Sequence, residues 1–212
     1  DSPGWPRLEG LNGLASLTGT ELRVQADSGG VTPGDGPTIA LERVLARIPN
    51  VEDNATLLLQ GQSSAPAAAY LALNRHSPLS GLLDNALDEA QADGSWRVPL
   101  WLNVPLYDTD ATTVSGSIVF NGGTFQLDSA MPVMSAVSGQ LDFSDTGIRS
   151  QGVKATALGG ALAVSGGLGG NNTNLLIAGE ADSQSLARFA GLSQSVGLEG
   201  RAAYRVEVER TP

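Results

Sequence analysis

The sequence predicts a mainly β protein, with antiparallel up-and-down strands forming a curved sheet or trough segment and two or three short amphipathic helices packed on it. Three observations carry that expectation. A seven-residue phrase occurs twice, as Val114-Ser115-Gly116-Ser117-Ile118-Val119-Phe120 and, 23 residues further on, as Val137-Ser138-Gly139-Gln140-Leu141-Asp142-Phe143. Each copy alternates apolar and polar side chains with a period of two, the pattern of a strand with one dry face. The 212 residues include 27 Gly and 11 Pro, so turns are frequent and long helices are not.

The alternation sorts the two faces. Val114, Gly116, Ile118 and Phe120 fall on one side, and Val137, Gly139, Leu141 and Phe143 repeat them. Asn121-Gly122-Gly123 is a hairpin signal, so 124–128 is expected to return as a strand that carries Phe125 and Leu127 onto the same face. The other side holds Ser115, Ser117, Gln126, Asp128, Gln140 and Asp142, with Val119 the exception. Weaker echoes of the phrase occur at 17–22 and 198–204.

The remaining elements follow in order. After a Pro/Gly/Leu-rich lead, 21–25 reads as a strand with Leu22 and Val24 on one face, and 27–37 as a loop. The spacing of Leu41, Val44, Leu45 and Ile48 suits a helix as well as a strand; Pro49 and the short joins favour a strand over 38–48. A short strand is expected over 56–61, and a short helix over 67–74 from its alanines. A longer helix is expected from a Ser77 cap through Pro78 to Gly94, with Leu79, Leu82, Leu83, Ala86, Leu87 and Ala90 on its inner side. Pro99 and Pro105 place the strand 95–106 at an edge or a bulge. Strands over 148–157, 161–165 and 174–179 come next, then a helix over 183–190 with Leu186, Phe189 and Ala190 on one side. A last strand spans 204–209. The whole chain, 1–212, reads as one β-rich segment, and the strand running up to its end makes it look like a piece of a longer protein.

Composition narrows the function. Apolar residues make up 41% and charged residues 16%, enough for a core but with a surface rich in hydroxyls and amides. The formal net charge is −10, with 12 Lys and Arg against 22 Asp and Glu, so a nucleic-acid backbone is repelled and is not an expected partner. With no cysteine, disulfides, thiolate nucleophiles and Cys-ligated metals are excluded. No run of about 18 apolar residues marks a membrane helix.

The search for chemistry ends without an active site. His76, the sole histidine, stands beside Arg75 with no nucleophile patterned around it, and no G-x-S-x-G elbow is present. The glycines between Gly159 and Gly170 lack the Gly-Lys-Ser/Thr of a phosphate loop and lie between strands. Asp108-Thr109-Asp110 lacks the further ligands that calcium needs, and Asp84, Asp88 and Glu89 read as a solvated helix face. Asn54 and Asn171 match the glycosylation acceptor pattern, which matters only in a eukaryotic secretory pathway. No cofactor and no enzyme activity is expected. An apolar face of small and branched residues then serves as an ordinary core or as an open trough.

The ordered series Ser77-Pro78-Leu79, Gly94, Val98-Pro99-Leu100, Val104-Pro105-Leu106, Val114-Ser115-Gly116, Met131-Pro132, Val137-Ser138-Gly139-Gln140-Leu141-Asp142-Phe143 and Leu158-Gly159-Gly160 resembles the central part of large AsmA-like envelope proteins, most closely the YhdP branch. The match is best over 75–180. The resemblance implies a Gram-negative protein anchored in the inner membrane by a helix not present in this chain, with a long β body in the periplasm. Along an apolar groove this body would pass phospholipid toward the outer membrane. The implied partners are phospholipid acyl chains, neighbouring segments of the same long chain and envelope proteins. Val114, Ile118, Phe120, Phe125, Leu127, Val137, Leu141, Phe143, Leu162 and Val164 are then the expected groove lining. Two other readings stay open: a closed β scaffold that assists outer-membrane assembly, and a glycan-active domain using the carboxylates near Asp108.

Overall fold

The computed structural model describes residues 6–34, 36–77, 80, 85, 87–169, 174–192 and 199–209. Their order is β1 (Leu8–Thr18), β2 (Glu21–Val31), β3 (Ile39–Ile48), β4 (Thr56–Pro66), α1 (Ala67–Arg75), β5 (Gln91–Ala92), β6 (Ser95–Pro105), β7 (Thr113–Asn121), β8 (Thr124–Gln126), β9 (Met134–Ser144), β10 (Gly147–Ala157), β11 (Gly160–Gly169), β12 (Asn174–Asp182), α2 (Ser183–Phe189) and β13 (Arg201–Glu209). All 13 strands join one open antiparallel sheet, as the alternation predicts. Its main path is β1-β2-β3-β4-β6-β7-β9-β10-β11-β12-β13, and β5 and β8 form a side ribbon attached to β9.

Among the described residues, every connection that holds an α-helix or a strand leaves the same edge of the sheet. β4 ends and β6 begins there, with α1 and β5 between them. β7 ends and β9 begins there, with β8 between them, and α2 joins β12 to β13 at the same edge. We call this the upper edge. The lower edge carries the turns Thr18–Glu21 and Ser144–Gly147 and the short loops after β3 and β6.

The repeated phrase pairs with itself. β7 and β9 are neighbours, with Gly116 opposite Phe143, Ile118 opposite Leu141 and Phe120 opposite Gly139. This corrects the expected hairpin. The Asn-Gly turn does not bring 124–128 back beside β7; β8 is only three residues long, pairs with β5 and β9, and leaves Leu127 in a bend. The turn instead packs against the connection from β4. Gly123 sits at φ +92°, and a Cβ there would lie 2.1 Å from the Asp93 carbonyl oxygen, so glycine lets the two insertions meet.

Several expectations are corrected by bulges and by long-range pairing. Leu41 and Val44 share a face across a three-residue step because β3 holds an extra residue there, with Arg43 at φ +51°. That step produced the helix-like spacing. β2 runs through Val31, where a loop is expected, because Gly29 and Gly30 pair with Leu41 and Ala40. β1 occupies the Pro/Gly/Leu lead, held by β2. β4 continues to Pro66 instead of stopping at Gly61.

β6 is a central strand despite its prolines, with β4 on one side and β7 on the other. Pro99 lies in the gap of the β6–β7 register between Arg97/Val119 and Leu100/Gly116, and Pro105 lies beyond its last pair at Asn103. Each missing N–H therefore falls where β7 makes no pair. Of the expected helix over 77–94, residues 78, 79, 81–84 and 86 lie outside the described residues; of the rest, 80 is helical, 85 and 87–90 are turn, bend and coil, and 91–92 is strand. α2 forms where expected, capped by the Asp182 carboxylate, which accepts from the Ser185 N–H at 2.8 Å. Its buried residue is Ala187, whereas Leu186 and Phe189 stay 41% and 47% exposed, so the expected docked side is not buried.

Packing is concentrated under the upper-edge insertions. Ala67 and Leu71 of α1 join Ala90 and Trp96, with Tyr70, Ile118, Phe120 and Phe125 against them. Ala69 joins Ile39 and Ala65, and Val137, Val153, Ala155, Ala157 and Leu162 form a third cluster. Trp96 stacks on Tyr70 at 6.0 Å between ring centroids and meets Phe120 edge-on at 5.5 Å.

Candidate functional site

The register assigns every strand residue to a face. Following cross-strand partners from β7 outward, one face holds Leu57 and Leu59 (β4), Leu100, Leu102 and Val104 (β6), Val114 and Ile118 (β7), and Leu141 and Phe143 (β9). It continues through Ile148 and Val153 (β10), Leu162 and Val164 (β11) and Ile177 (β12) to Val206 and Val208 (β13). In the other direction it reaches Ile48 and Ala46 of β3 and Leu22 and Val24 of β2. Bulges at Arg43 and between Gln151 and Val153 re-aim the strands where simple alternation would have turned an apolar residue outward.

Among the described strand residues, no ionisable side chain other than the Tyr204 phenol falls on this face. Glu42, Arg47, Arg97, Asp142, Arg149, Lys154, Arg205 and Glu207 all pair on the opposite one. Tyr204 lies opposite Gly179, and burial pushes its pKa up, so it stays neutral. The serines on the apolar face are satisfied within the protein. Ser63 bonds the Tyr70 hydroxyl at 2.9 Å and the Val98 carbonyl at 3.2 Å; Ser150 donates to the Val164 carbonyl at 2.5 Å and accepts from the Val153 N–H at 3.2 Å. The face thus presents no charge and no unpaired hydroxyl of these two serines.

The opposite face is where the charges and amides go. Asp142 accepts hydrogen bonds from Gln140 at 2.6 Å, Ser117 at 2.9 Å and Gln151 at 3.0 Å, tying β7, β9 and β10 together. Burial pushes the Asp142 pKa up, but these three donors and the nearby Arg149 outweigh it and hold the carboxyl below its ordinary range.

The ten residues expected to line a groove divide into three sets. Val114 and Phe143 lie in the lower half of the apolar face, half-buried and outside all three packed clusters; Leu57, Leu59, Leu102, Val104 and Ile148 lie with them. Ile118, Phe120, Val137, Leu141, Leu162 and Val164 lie in the upper half or at its border, packed in the clusters. Phe125 is not part of the sheet's main floor: it comes down from β8 onto Trp96, 6.2 Å between centroids. Leu127 is half-buried in the bend after β8 and belongs to no strand. The lower-half residues of β4 and β6 were not among the ten. The alternation of Val98, Leu100, Leu102 and Val104 was a readable signal for β6, masked by the prolines.

The other motifs settle into ordinary structural roles. The His76 ring Nδ1 lies 2.9 Å from the Ala72 carbonyl at the end of α1, and Arg75 bonds the carbonyls of Asp88 and Ala90. Asp108 precedes a 3₁₀ turn, Thr109–Ala111. Among the described residues, no cluster of three or more His, Asp or Glu has the arrangement of a metal site, and no helix is long and apolar enough to cross a membrane.

A family model described as "YhdP protein" matches residues 2–211, which is nearly the whole chain and extends well beyond the 75–180 stretch. No curated protein and no solved structure matches significantly.

Proposed function

The chain belongs to the YhdP family, a transport-type family of the periplasmic envelope related to lipid transport, and from this premise we propose that it is one segment of a conduit for phospholipid between inner and outer membrane. The observation that carries the reading is the continuous apolar face from β2 to β13 along the main path, with every charged side chain of the described strands on the other side. Each CH₂ of an acyl chain sheltered from water is worth about 0.8 kcal/mol, so a chain laid on this face is held without any specific contact. Movement also requires that no point bind too strongly. A floor of Val, Leu, Ile and Gly offers many equivalent positions.

In this reading the lower half is the path. α1 and the β5–β8 ribbon occupy the upper half, so acyl chains rest on Leu59, Leu102, Val114 and Phe143 while head groups stay wet at the lower edge. Neighbouring segments of the same long chain pair with the backbone edges of β1 and β13, and the parent is anchored in the inner membrane by a helix outside this chain. No catalytic step is needed. The packed upper half supports the closed-scaffold reading in part, since Val137 and Leu162 serve there as core.

Native mass spectrometry of the gently purified chain, followed by solvent extraction, tests the proposal. Bound phospholipid that Val114→Asp removes while the fold persists is the expected result. A bare protein mass, or lipid retained at full occupancy by folded Val114→Asp and Phe143→Asp, overturns it in favour of a closed scaffold.

A further inference from the structure

A groove of about 430 Å³ opens mainly on the charged face, and Leu59, Leu102 and Val114 of the apolar set also contribute to its lining. Its floor is built from two cross-strand rows on the lower half of β4, β6 and β7. Gln60, Trp101 and Ser115 stand side by side in one row, and Leu58, Asn103 and Thr113 in the next. Trp101 is 48% exposed and Leu58 39%, and with Leu45 beside Gln60 they form an apolar strip on a face given mostly to polar side chains. Arg47 on β3 and Asp145 after β9 close the two ends.

We propose that this groove binds a short neutral oligosaccharide, with a sugar ring laid on the Trp101 indole. The combination suits no other small-molecule class as well. An open indole on a flat sheet presents a rigid apolar surface to the C–H side of a pyranose. The neighbours Gln60, Asn103, Ser115 and Thr113 supply both donors and acceptors at spacings of one strand, roughly 5 Å, as a ring bearing hydroxyls around its rim requires. The volume lies within the range of about 300–1,000 Å³ typical of ligand sites.

Rival occupants fit less well. An acyl chain could touch Leu45, Leu58 and Trp101, but the two amides and two hydroxyls break the apolar run it needs. A phosphate needs free positive charge, but the Arg47 guanidinium is already held by Glu21 at 2.7 and 3.2 Å, and the chain carries a net charge of −10. A protein partner needs an apolar patch that continues beyond the groove. The same face continues instead into Arg23 and Gln25 on one side and Ser117, Gln140 and Asp142 on the other.

Calorimetry and tryptophan fluorescence with cellotetraose, maltotetraose and tetra-N-acetylchitotetraose test the site on the whole chain. At least one should bind with a Kd below about 10 mM, weakened at least about tenfold by Trp101→Ala and a few-fold by Asn103→Ala, while Trp101→Phe stays close to wild type. Trp101 is half exposed, so Trp101→Ala is expected to fold, and circular dichroism checks it; if it does not, Asn103→Ala and Trp101→Phe decide alone. Failure of all three sugars to bind overturns the proposal, as does a Kd unchanged in folded Trp101→Ala or Asn103→Ala. Phospholipid vesicles or a protein bound through Trp101 in the absence of any sugar response would likewise overturn it. Loss of bound lipid in the Phe143→Asp experiment leaves this result untouched, because Phe143 does not line this groove.

Discussion

Ile118 and Leu141 stand directly opposite each other across β7 and β9, so the two copies of the repeated phrase are each other's partners in the sheet. The same pairing puts Gly116 under the Phe143 ring and Gly139 beside Phe120. Small residues in one copy make room for large ones in the other.

Gly116→Ala tests that fit. A Cβ at this position would lie 2.5 Å from Phe143 Cζ and 2.7 Å from the Pro99 carbonyl oxygen. The ring can swing away but the backbone of β6 cannot easily follow, so a loss of about 1–3 kcal/mol is expected. Urea denaturation measures it. A variant as stable as wild type would mean that Phe143 has free space beside it.

Trp96 links the sheet to everything that covers its upper half. It is only 4% exposed and touches the rings of Tyr70, Phe120 and Phe125, one on α1, one on β7 and one on β8. Trp96→Ala should cost about 3–5 kcal/mol. Hydrogen exchange should show α1 and β8 losing protection first, with β10 to β12 holding longer.

Asp142 should make stability depend on pH in the acid range. Its carboxyl lies below its ordinary value when folded, so its stabilising contribution is complete above the unfolded value of about 3.9 and is lost as pH falls through the folded value. Asp142→Asn should flatten the acid limb of a plot of melting temperature against pH by lowering the neutral plateau, where the wild-type carboxylate contributes in full, towards the acid value. An identical acid limb in wild type and variant would show that the hydrogen bonds from Ser117, Gln140 and Gln151 do not favour the ionised form.

Ala136 occupies a bulge in β9 at φ +51°. By strand propensity valine is the better residue for a sheet, yet a branched side chain is poorly tolerated at positive φ. Ala136→Val is therefore expected to lower stability by about 1–2 kcal/mol, seen as a reduced melting temperature. An increase would mean that the bulge relaxes into a regular ladder.

The sheet, its antiparallel order and the dry face of β7 and β9 were legible because alternation is local and survives in any window of a strand. What failed to show was set by partners distant in sequence. The spacing of Leu41 and Val44 cannot reveal a bulge at Arg43, since only the register with Gln60 and Gln62 defines it. Pro99 and Pro105 argue for an edge until the gaps in β7's pairing are known. Gly29 and Gly30 look like loop and become strand because Leu41 and Ala40 hold them. The candidate groove was half legible: the residues of β7 and β9 stood out, but nothing local to Val137 or Leu162 says that a helix and a ribbon cover them while Val114 and Phe143 stay outside the packed clusters.

The order of strands has a kinetic consequence. Along the main path each strand pairs with the next one in the chain, skipping only the two-residue β5 and the three-residue β8. Most loops to be closed are therefore short, the β4–β6, β7–β9 and β12–β13 connections excepted, and no pairing waits for a distant end of the chain. Assembly can begin at any tight turn, such as the one joining β9 to β10, and spread outward rung by rung, in the manner of a zip. Removing β13 should then leave the earlier rungs able to form, so that successive truncation from that side erodes stability in steps instead of abolishing the fold at once.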